Sequence, residues 1–480
     1  MRELDGFVAA RGLPVVRFGR GECKEDVARP YQLAAAREGR CGVVLVGKAQ
    51  ERVSAWVGHQ DRNPRSGRRV RFSYSRQSRV PDHWYFYLWD DDWGPVLVKM
   101  CPFAPYPLWI NANGHEWTKR QLAKAGIDFV ALDNGLRSVA DPPAAAKLSA
   151  RLGAGHLRAA IGRWLSWLPN PLLPRDRRGG FGYDFSVRQI EISDTLVFDR
   201  PQVGRSWFES AIRNHLDLGR PDEVSLVVNR RVRTRGRRPT PGRFETRVVT
   251  ADVDPEIRIR YKSDKVKAYF KEQRALRVET TINNARDFGL GRRLCAENWR
   301  TLRQTGLDIN TRFLAALADA EYLAPDPATL HAVVLPSVNH DGLPAPGLRF
   351  GDPRVMGLLA AIAHFSHLVG GLTNAGLRRL MAGLYGSGYT SRQAGYDLRR
   401  LRRKGFIERV AGTHTYRVTP SGRRIACFLT KLTARVVVPT LTELDHAASP
   451  HPPTPSPLVQ AWQTYERRLD ALLHVAQVAA

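Results

Sequence analysis

The sequence predicts an α+β protein of several domains, in which an N-terminal α/β sheet domain and a basic β-rich middle domain precede a mainly helical C-terminal domain. Its 480 residues are more than a single hydrophobic core ordinarily organises. Stretches with the alternating pattern of strands dominate up to about residue 280, whereas helical spacing dominates residues 353–435. Pro- and Gly-rich joints separate these regions.

These joints set the predicted domain boundaries. The α/β domain covers residues 1–165, and the basic β-rich domain covers 166–320. A Pro/Gly/His-rich linker at 321–352 leads to the C-terminal domain at 353–440. A Pro-rich spacer and a terminal helix occupy 441–480.

The charge of the chain indicates a polyanionic partner. The net charge is +28 and the pI is near 10.5, and most of the basic residues are arginine. Arginine suits bidentate contacts with phosphate and guanine, so DNA is the expected partner, with RNA as the alternative. A membrane is not expected, because no apolar run is long enough to span one. Scattered cysteines and a polar N-terminus predict a cytoplasmic protein.

The predicted N-terminal domain is built around an aromatic strand at residues 83–90, followed by a hairpin partner at 95–101. A helix at 25–38, strands within 41–57 and a helix at 115–125 surround this hairpin. Strand alternation places Trp84, Phe86 and Leu88 on one face and Tyr85, Tyr87 and Trp89 on the other. Core on both faces is the favoured interpretation, and a platform that stacks unpaired bases is the alternative.

Three carboxylates form one candidate catalytic and metal site in this domain. Asp90 ends a strand, Glu116 starts a helix and Asp133 ends the next strand. If they converged, they could hold Mg²⁺ for phosphodiester hydrolysis. The alternative is that Asp90 and Asp133 belong to ordinary turns, as Asp133-Asn134-Gly135 suggests. No other cofactor is predicted.

The middle domain combines strands with a heavy basic load. Its predicted strands are 185–192, 224–232, 244–249, 257–261, 265–269 and 274–281, and its predicted helices are 204–216 and 294–317. Such a sheet could cradle a sugar-phosphate backbone. The candidate nucleic-acid-binding residues are Arg230, Arg231, Arg233, Arg235, Arg237, Arg238, Arg274 and Arg277.

A tyrosine in this domain is the second catalytic candidate. Alternation puts Tyr269 and Lys271 on one strand face, and Arg277 and Glu279 together on the face of another strand. Neighbouring cations would favour the phenolate of Tyr269 as a nucleophile. This Y-x-K and L-R-x-E pattern resembles rolling-circle replication initiators, which implies strand transfer by Tyr269. Those initiators also use a His-hydrophobic-His metal pair, and the sequence contains none.

A capped basic helix is predicted after residue 390, because Thr390 or Ser391 can cap it and Gly405 can end it. Tyr396, Leu398 and Leu401 are its apolar positions. Two helices, 353–367 and 373–385, precede it. Two short strands at 406–410 and 415–419 and a last helix at 423–435 follow.

Helix, helix, basic helix, two strands and helix is the order of a winged helix-turn-helix. The passage LRRLRRKGFIERV…YRVTPSGRR resembles MarR-type winged-helix domains over residues 355–435. The resemblance implies that the basic helix lies in the major groove of DNA and that the wing contacts the backbone or the minor groove. Protein contact alone is the other interpretation. The candidate nucleic-acid-binding residues are Arg392, Arg399, Arg400, Arg402, Arg403, Lys404, His414 and Arg417.

Together these features predict a nucleic-acid-binding protein, DNA-binding in the first instance and associated with a mobile element or with replication or processing of nucleic acid. The alternatives are a metal-dependent nuclease, a tyrosine strand-transferase, and a non-enzymatic transcription regulator or RNA-binding subunit. The linker is expected to let the C-terminal domain reach DNA while the upstream domains engage another stretch.

Overall fold

The computed structural model divides the chain into two compact units, residues 1–187 with 291–301 and residues 188–290 with 302–480. Both mix helices and strands, as predicted. The first unit therefore extends beyond residue 165, where the boundary was predicted, and the middle and C-terminal regions lie in one unit. The structure describes the whole chain except residues 1, 20, 62–70, 102–105, 171, 173, 220–222, 228–243, 252–253, 272–273, 320–326, 340–341, 365–366, 386–387, 434–436, 439, 442–459, 469–470 and 472–480.

The first unit contains the aromatic strand at the centre of a five-stranded sheet. The sheet order is β1-β2-β5-β6-β7, with β1 parallel to β2 and the other pairs antiparallel. The elements are α1 (Arg2–Ala10), β1 (Val15–Arg17), α2 (Lys24–Arg37), β2 (Gly42–Gln50), β3 (Val53–Asp61), β4 (Arg71–Arg79), β5 (Asp82–Asp90), β6 (Gly94–Met100), β7 (Leu108–Ala112), α3 (Gly114–Lys124), β8 (Phe129–Leu132), β9 (Gly135–Val139), α4 (Pro142–Arg151), α5 (Ala154–Ser166) and α6 (Pro174–Arg178).

Core on both faces of the aromatic strand is confirmed. Trp84, Phe86 and Leu88 pack in the same apolar cluster as Trp164 of α5. The alternate side chains of β5 pack in a second cluster with the alanines of α2. The aromatic residues of β5 are therefore unavailable for stacking on bases, because helices cover both faces of the sheet.

Two hairpins of the first unit stand outside this sheet. Strands β3 and β4 pair antiparallel over nine residues each, and β8 pairs with β9. The sequence indicated β3 in part but not β4 or β9. In both cases the missed strand lacks the regular apolar alternation from which strands are predicted.

The second unit begins with a six-stranded sheet in the order β10-β15-β14-β13-β12-β11. All neighbours are antiparallel except the parallel pair β11–β12. One face of this sheet packs on α7 and α8 through Phe208, Ile309 and Phe313. The elements are β10 (Ile190–Val197), α7 (Pro201–Gly219), β11 (Glu223–Val227), β12 (Phe244–Ala251), β13 (Asp254–Tyr261), β14 (Asp264–Lys271), β15 (Ala275–Ile282) and α8 (Ala296–Asp319).

The C-terminal part of this unit has the predicted order of three main helices, a hairpin and a further helix. A second small hairpin and a helix occupy the segment predicted as a linker. The elements are α9 (Pro327–Val334), β16 (Ser337–Val338), β17 (Pro344–Ala345), α10 (Pro353–Ala363), α11 (His367–Gly370), α12 (Asn374–Leu384), α13 (Ser391–Arg403), β18 (Ile407–Arg409), β19 (Tyr416–Val418) and α14 (Pro420–Leu432). Residues 460–468 are helical, within the predicted terminal helix.

The segment predicted as a linker does not separate the C-terminal helices from the six-stranded sheet, because the two regions share buried apolar residues. Leu368 and Val369 of the short helix α11 are buried in the apolar core of the six-stranded sheet. Gly370 approaches the sheet so closely that a Cβ there would lie 2.5 Å from the ring of Tyr261. In addition, Val333 and Leu348 from the predicted linker are buried in the core of the C-terminal helices. Buried apolar side chains thus join both regions into one unit.

Among the described residues, no helix has the length and apolar character needed to cross a membrane.

Candidate nucleic-acid interface

The basic helix α13 begins with a complete capping box. The side chain of Thr390 accepts from the backbone N–H of Gln393, and the side chain of Gln393 accepts from the backbone N–H of Thr390. One side of the helix is buried through Ala394, Leu398 and Leu401. This buried side orients the remaining faces of the helix.

The opposite face of α13 is exposed and basic. Arg392, Arg399 and Arg402 are all exposed, and they lie on one side of the helix because they are spaced by seven and three residues. Tyr396 lies between them and is 43% exposed. The prediction that Tyr396 is an apolar core position is therefore wrong, because the helical phase set by Leu398 and Leu401 turns it outward. We call Arg392, Tyr396, Arg399 and Arg402 the exposed row.

The flank of α13 carries three cations that are already engaged within the chain. The guanidinium of Arg400 donates to the backbone carbonyls of residues 346 and 347. Arg403 donates to the carbonyl of Pro344 (2.9 Å). Lys404 donates to the carbonyl of Leu335 (2.6 Å) and to Ser337 Oγ (2.9 Å). We call residues 335–347 the strap.

The strap thus divides the six cations predicted to bind nucleic acid. Arg400, Arg403 and Lys404 fasten the strap, and only the other three face solvent fully. A Cβ at Gly347 would lie 2.0 Å from the carbonyl oxygen of Val334, so this close approach requires glycine. The strap was not predicted, because its residues have the Pro- and Gly-rich composition that is typical of a linker.

A buried carboxylate fixes α13 against the rest of the C-terminal helices. Asp397 is 1% exposed and lies 3.0 Å from Arg354 Nη2 of α10. The hydroxyl of Tyr389 also donates to it (2.7 Å). The guanidinium of Arg354 lies 5.9 Å from the ring of Tyr396 and so reaches the exposed row. These contacts set the direction in which α13 presents its arginines.

The β18–β19 hairpin adds more cations beside α13. Arg409 donates to the carbonyl of Thr413 (2.7 Å) and lies 3.3 Å from the ring of His414, so both residues brace the hairpin turn. Both are exposed, as is Arg417. Leu372 pairs with Tyr416 as a third, single-residue strand. The structure therefore brings the predicted residues His414 and Arg417 onto one hairpin, His414 in its turn and Arg417 in β19.

The second face of the six-stranded sheet is charged. Cross-strand register places Arg258 opposite Lys267, and Lys267 opposite Glu279. Lys265 and Tyr269 lie on the same face, because side chains alternate along β14. Arg277 is fully buried and lies 3.4 Å from Glu279, so it cannot contact nucleic acid as predicted.

Tyr269 lies beside Lys267 and Lys271 on this strand, but its environment opposes ionisation. Burial and the adjacent carboxylate of Glu279 raise the pKa of Tyr269 well above its usual value. This environment opposes the predicted activation of the phenolate, because the carboxylate of Glu279 accepts a hydrogen bond from the phenol. Lys271 lies on the same strand face, as predicted from alternation.

Glu191 and Glu279 form a carboxyl pair on this face. Although Glu191 remains exposed on one side, desolvation by the surrounding side chains and the neighbouring Glu279 raise the pKa of Glu191 to about 7. Although burial opposes it, hydrogen bonding with Glu191 and the charge of Arg277 lower the pKa of Glu279. The pair therefore shares one proton below neutral pH.

This pair predicts a pH-dependent stability. Because the pKa of Glu191 is raised, the folded state holds its proton more tightly than the unfolded chain does. The stability that this proton contributes is complete below pH 4.5 and is lost as the pH rises through about 7. Urea unfolding of Glu191→Gln should consequently show that the variant gains stability relative to the wild type between pH 4.5 and 8. The exposed Glu408→Gln serves as the control. An unchanged difference across this range would contradict the shared proton.

The predicted metal site is not assembled. Asp90 accepts hydrogen bonds from Arg163 and from Trp164 Nε1 (2.8 Å). Glu116 pairs with two cations of its own helix, and Asp133 lies 3.3 Å from Arg29 on the surface. Within the described ranges, no three His, Cys, Asp or Glu side chains are grouped so that they could hold a metal ion. The turn interpretation holds for Asp90, whose Oδ1 accepts from two backbone N–H groups of the β5–β6 turn.

Of the remaining predicted residues, Arg274 is exposed at the β14–β15 turn. The arginines of the basic run 229–238 lie outside the described residues, and they are Arg230, Arg231, Arg233, Arg235, Arg237 and Arg238.

Comparisons of the chain with models of known protein families, with curated proteins and with solved structures found no match.

Proposed function

We propose that this chain is a DNA-binding protein and that residues 353–432 form a winged helix with α13 as its recognition helix. The exposed row on α13 carries the proposal. Three arginines and a tyrosine extend over the eleven residues from Arg392 to Arg402, which is ~15 Å of helix. A recognition helix meets base edges and phosphates over a similar length in the major groove.

The hairpin beside α13 supports the same assignment. Arg409, His414 and Arg417 extend the positive surface in the position where a wing follows the DNA backbone. The resemblance of residues 355–435 to MarR-type winged-helix domains is consistent with this role. Duplex DNA is favoured over duplex RNA because the A-form major groove is too narrow for a helix to read.

The proposed activity is binding rather than cleavage. Asp90, Glu116 and Asp133 each have ion-pair partners, and burial together with Glu279 raises the pKa of Tyr269, which disfavours its phenolate. The C-terminal helices share a buried core with the charged six-stranded sheet, which favours a protein that organises or processes DNA with partners, as in a mobile element or replication complex. A transcription regulator is the alternative.

Two arginines of the exposed row, Arg392 and Arg399, provide the test of this proposal. In the full chain, Arg392→Ala/Arg399→Ala should lower affinity for a 30-base-pair duplex by about 10- to 100-fold at low salt. The slope of log K against log salt concentration should fall by about 2, because two phosphate or base contacts are lost. Fluorescence anisotropy over a salt series measures both quantities.

Arg400→Ala is the matched control, since Arg400 follows Arg399 on the same helix but fastens the strap. Its salt slope should stay at the wild-type value while its melting temperature falls. Equal slopes in the wild type and in both variants would refute α13 as the DNA contact.

A further inference from the structure

A two-stranded ribbon in the first unit has no role in the winged-helix assignment. Strands β3 and β4 pair along their full nine-residue lengths, from Val53 opposite Arg79 to Asp61 opposite Arg71. Neither strand joins a third strand in the described part of the chain. We call residues 53–61 and 71–79 the arm.

Most of the side chains that the structure describes in the arm are exposed to solvent. Ser54, Tyr74, Ser75 and Arg76 are exposed, although adjacent strand positions point to opposite faces. An isolated ribbon of this kind is only marginally stable. Its sequence is therefore not explained by the needs of folding alone.

Short polar contacts and one aromatic contact hold the ribbon in register. His59 Nε2 lies 3.1 Å from Ser75 Oγ and 2.8 Å from Gln77 Nε2 across the strands. The Tyr74 ring lies over Gly58, where a Cβ would be 3.2 Å from it, and Tyr74 remains 67% exposed. These contacts leave the long basic side chains on the outside.

The charge of this segment is almost wholly positive. Residues 52–80 contain one carboxylate, Asp61, and eight arginines, which gives a net charge of +7 (eight minus one). Of these, Arg52, Arg76 and Arg79 are described and exposed. These arginines repel one another, and the repulsion lowers the stability of the segment unless a polyanion compensates the charge. The eight arginines are Arg52, Arg62, Arg65, Arg68, Arg69, Arg71, Arg76 and Arg79.

We propose that the arm is a second DNA-binding element, which inserts as a β-ribbon into the major groove of duplex DNA. A two-stranded ribbon fits the roughly 12 Å width of that groove. Nine residues span about 30 Å, close to one helical turn of DNA. The narrow major groove of A-form RNA does not admit it.

This proposal does not depend on α13, because the arm lies in the other compact unit. Duplex binding by the full chain of Arg52→Ala/Arg76→Ala/Arg79→Ala tests it. The slope of log K against log salt concentration should fall by about 2 to 3 and the affinity at low salt by at least about 10-fold. Arg11→Ala/Arg37→Ala/Arg137→Ala removes three exposed arginines elsewhere in the first unit and is the charge-matched control.

Two further measurements distinguish the loss of a DNA contact from a folding defect and from binding to another class of partner. Arg52→Lys/Arg76→Lys/Arg79→Lys keeps the charge and should keep most of the salt slope. Equal loss in the arm variant and its control would overturn the proposal, while a loss confined to Arg392→Ala/Arg399→Ala would leave α13 as the DNA contact. An arm variant that loses only duplex RNA binding, or only binding to anionic phosphatidylserine vesicles, would overturn the assignment to DNA.

Discussion

Replacement of Asp90 by alanine is expected to lower the free energy of unfolding of the first unit by about 3–5 kcal/mol. The carboxylate is 1% exposed and accepts five hydrogen bonds, three at Oδ2 from Arg163 and Trp164 and two at Oδ1 from backbone N–H groups. Its loss leaves Trp164 Nε1 buried without an acceptor and leaves the guanidinium of Arg163 without its closest anion. Urea unfolding followed by tryptophan fluorescence measures the change.

The neighbouring Asp91 provides the control, because it is exposed in the same turn. Asp91→Ala should change stability by less than about 0.5 kcal/mol. The same titrations with and without 10 mM Mg²⁺ separate a structural carboxylate from a metal ligand. Stabilisation by Mg²⁺ that disappears in Asp90→Ala would show that the site binds metal and that its assignment as a turn residue is incomplete.

Replacement of Asp397 by alanine should have a comparable effect on the second unit, about 3–5 kcal/mol, and should also abolish DNA binding at physiological salt. The buried carboxylate joins α13 to Arg354 of α10 and to Tyr389. Without it, Arg354 loses its partner and α13 is no longer held in one orientation. Thermal unfolding and anisotropy binding on the same samples measure the two consequences.

A double-mutant cycle distinguishes this coupling from general damage. Arg354→Ala alone leaves the buried Asp397 with the hydroxyl of Tyr389 as its remaining partner among the described residues, so it should also be strongly destabilising. Arg354→Ala/Asp397→Ala should be less destabilised than the sum of the two single variants by at least about 1 kcal/mol. Strict additivity would show that the pair does not act as a unit.

Local signals were sufficient to predict most elements of both units from the sequence. Thr390 and Gly405 mark the ends of α13 through capping and a left-handed glycine, and each depends on residues within one helical turn. The alternation of β5 likewise predicts two buried faces. For the same reason most strands of the middle sheet fall within about three residues of their predicted bounds, whereas β10 begins and ends five residues later than predicted.

The candidate site was predictable only in part. Helical phase alone places Arg392, Arg399 and Arg402 together, but it does not distinguish them from Arg400, whose engagement depends on carbonyls more than fifty residues away. The outward position of Tyr396 required the phase that the buried leucines impose. Likewise, the predicted phenolate of Tyr269 rested on cations near in sequence, whereas burial and the carboxylate of Glu279 on the neighbouring strand β15 raise the pKa of Tyr269.

The sequence by itself determined the mixed α/β composition, the capped basic helix and the positive charge of the chain, because each follows from residue type and short-range spacing. Only the tertiary structure decided which charges are available. Asp90 and Asp397 are each paired with an arginine distant in sequence, and Arg400 donates to carbonyls of the strap. The apolar residues of α11 are buried in the core of the six-stranded sheet. Contacts between residues far apart in the chain depend on how the elements pack, and no local pattern encodes that packing.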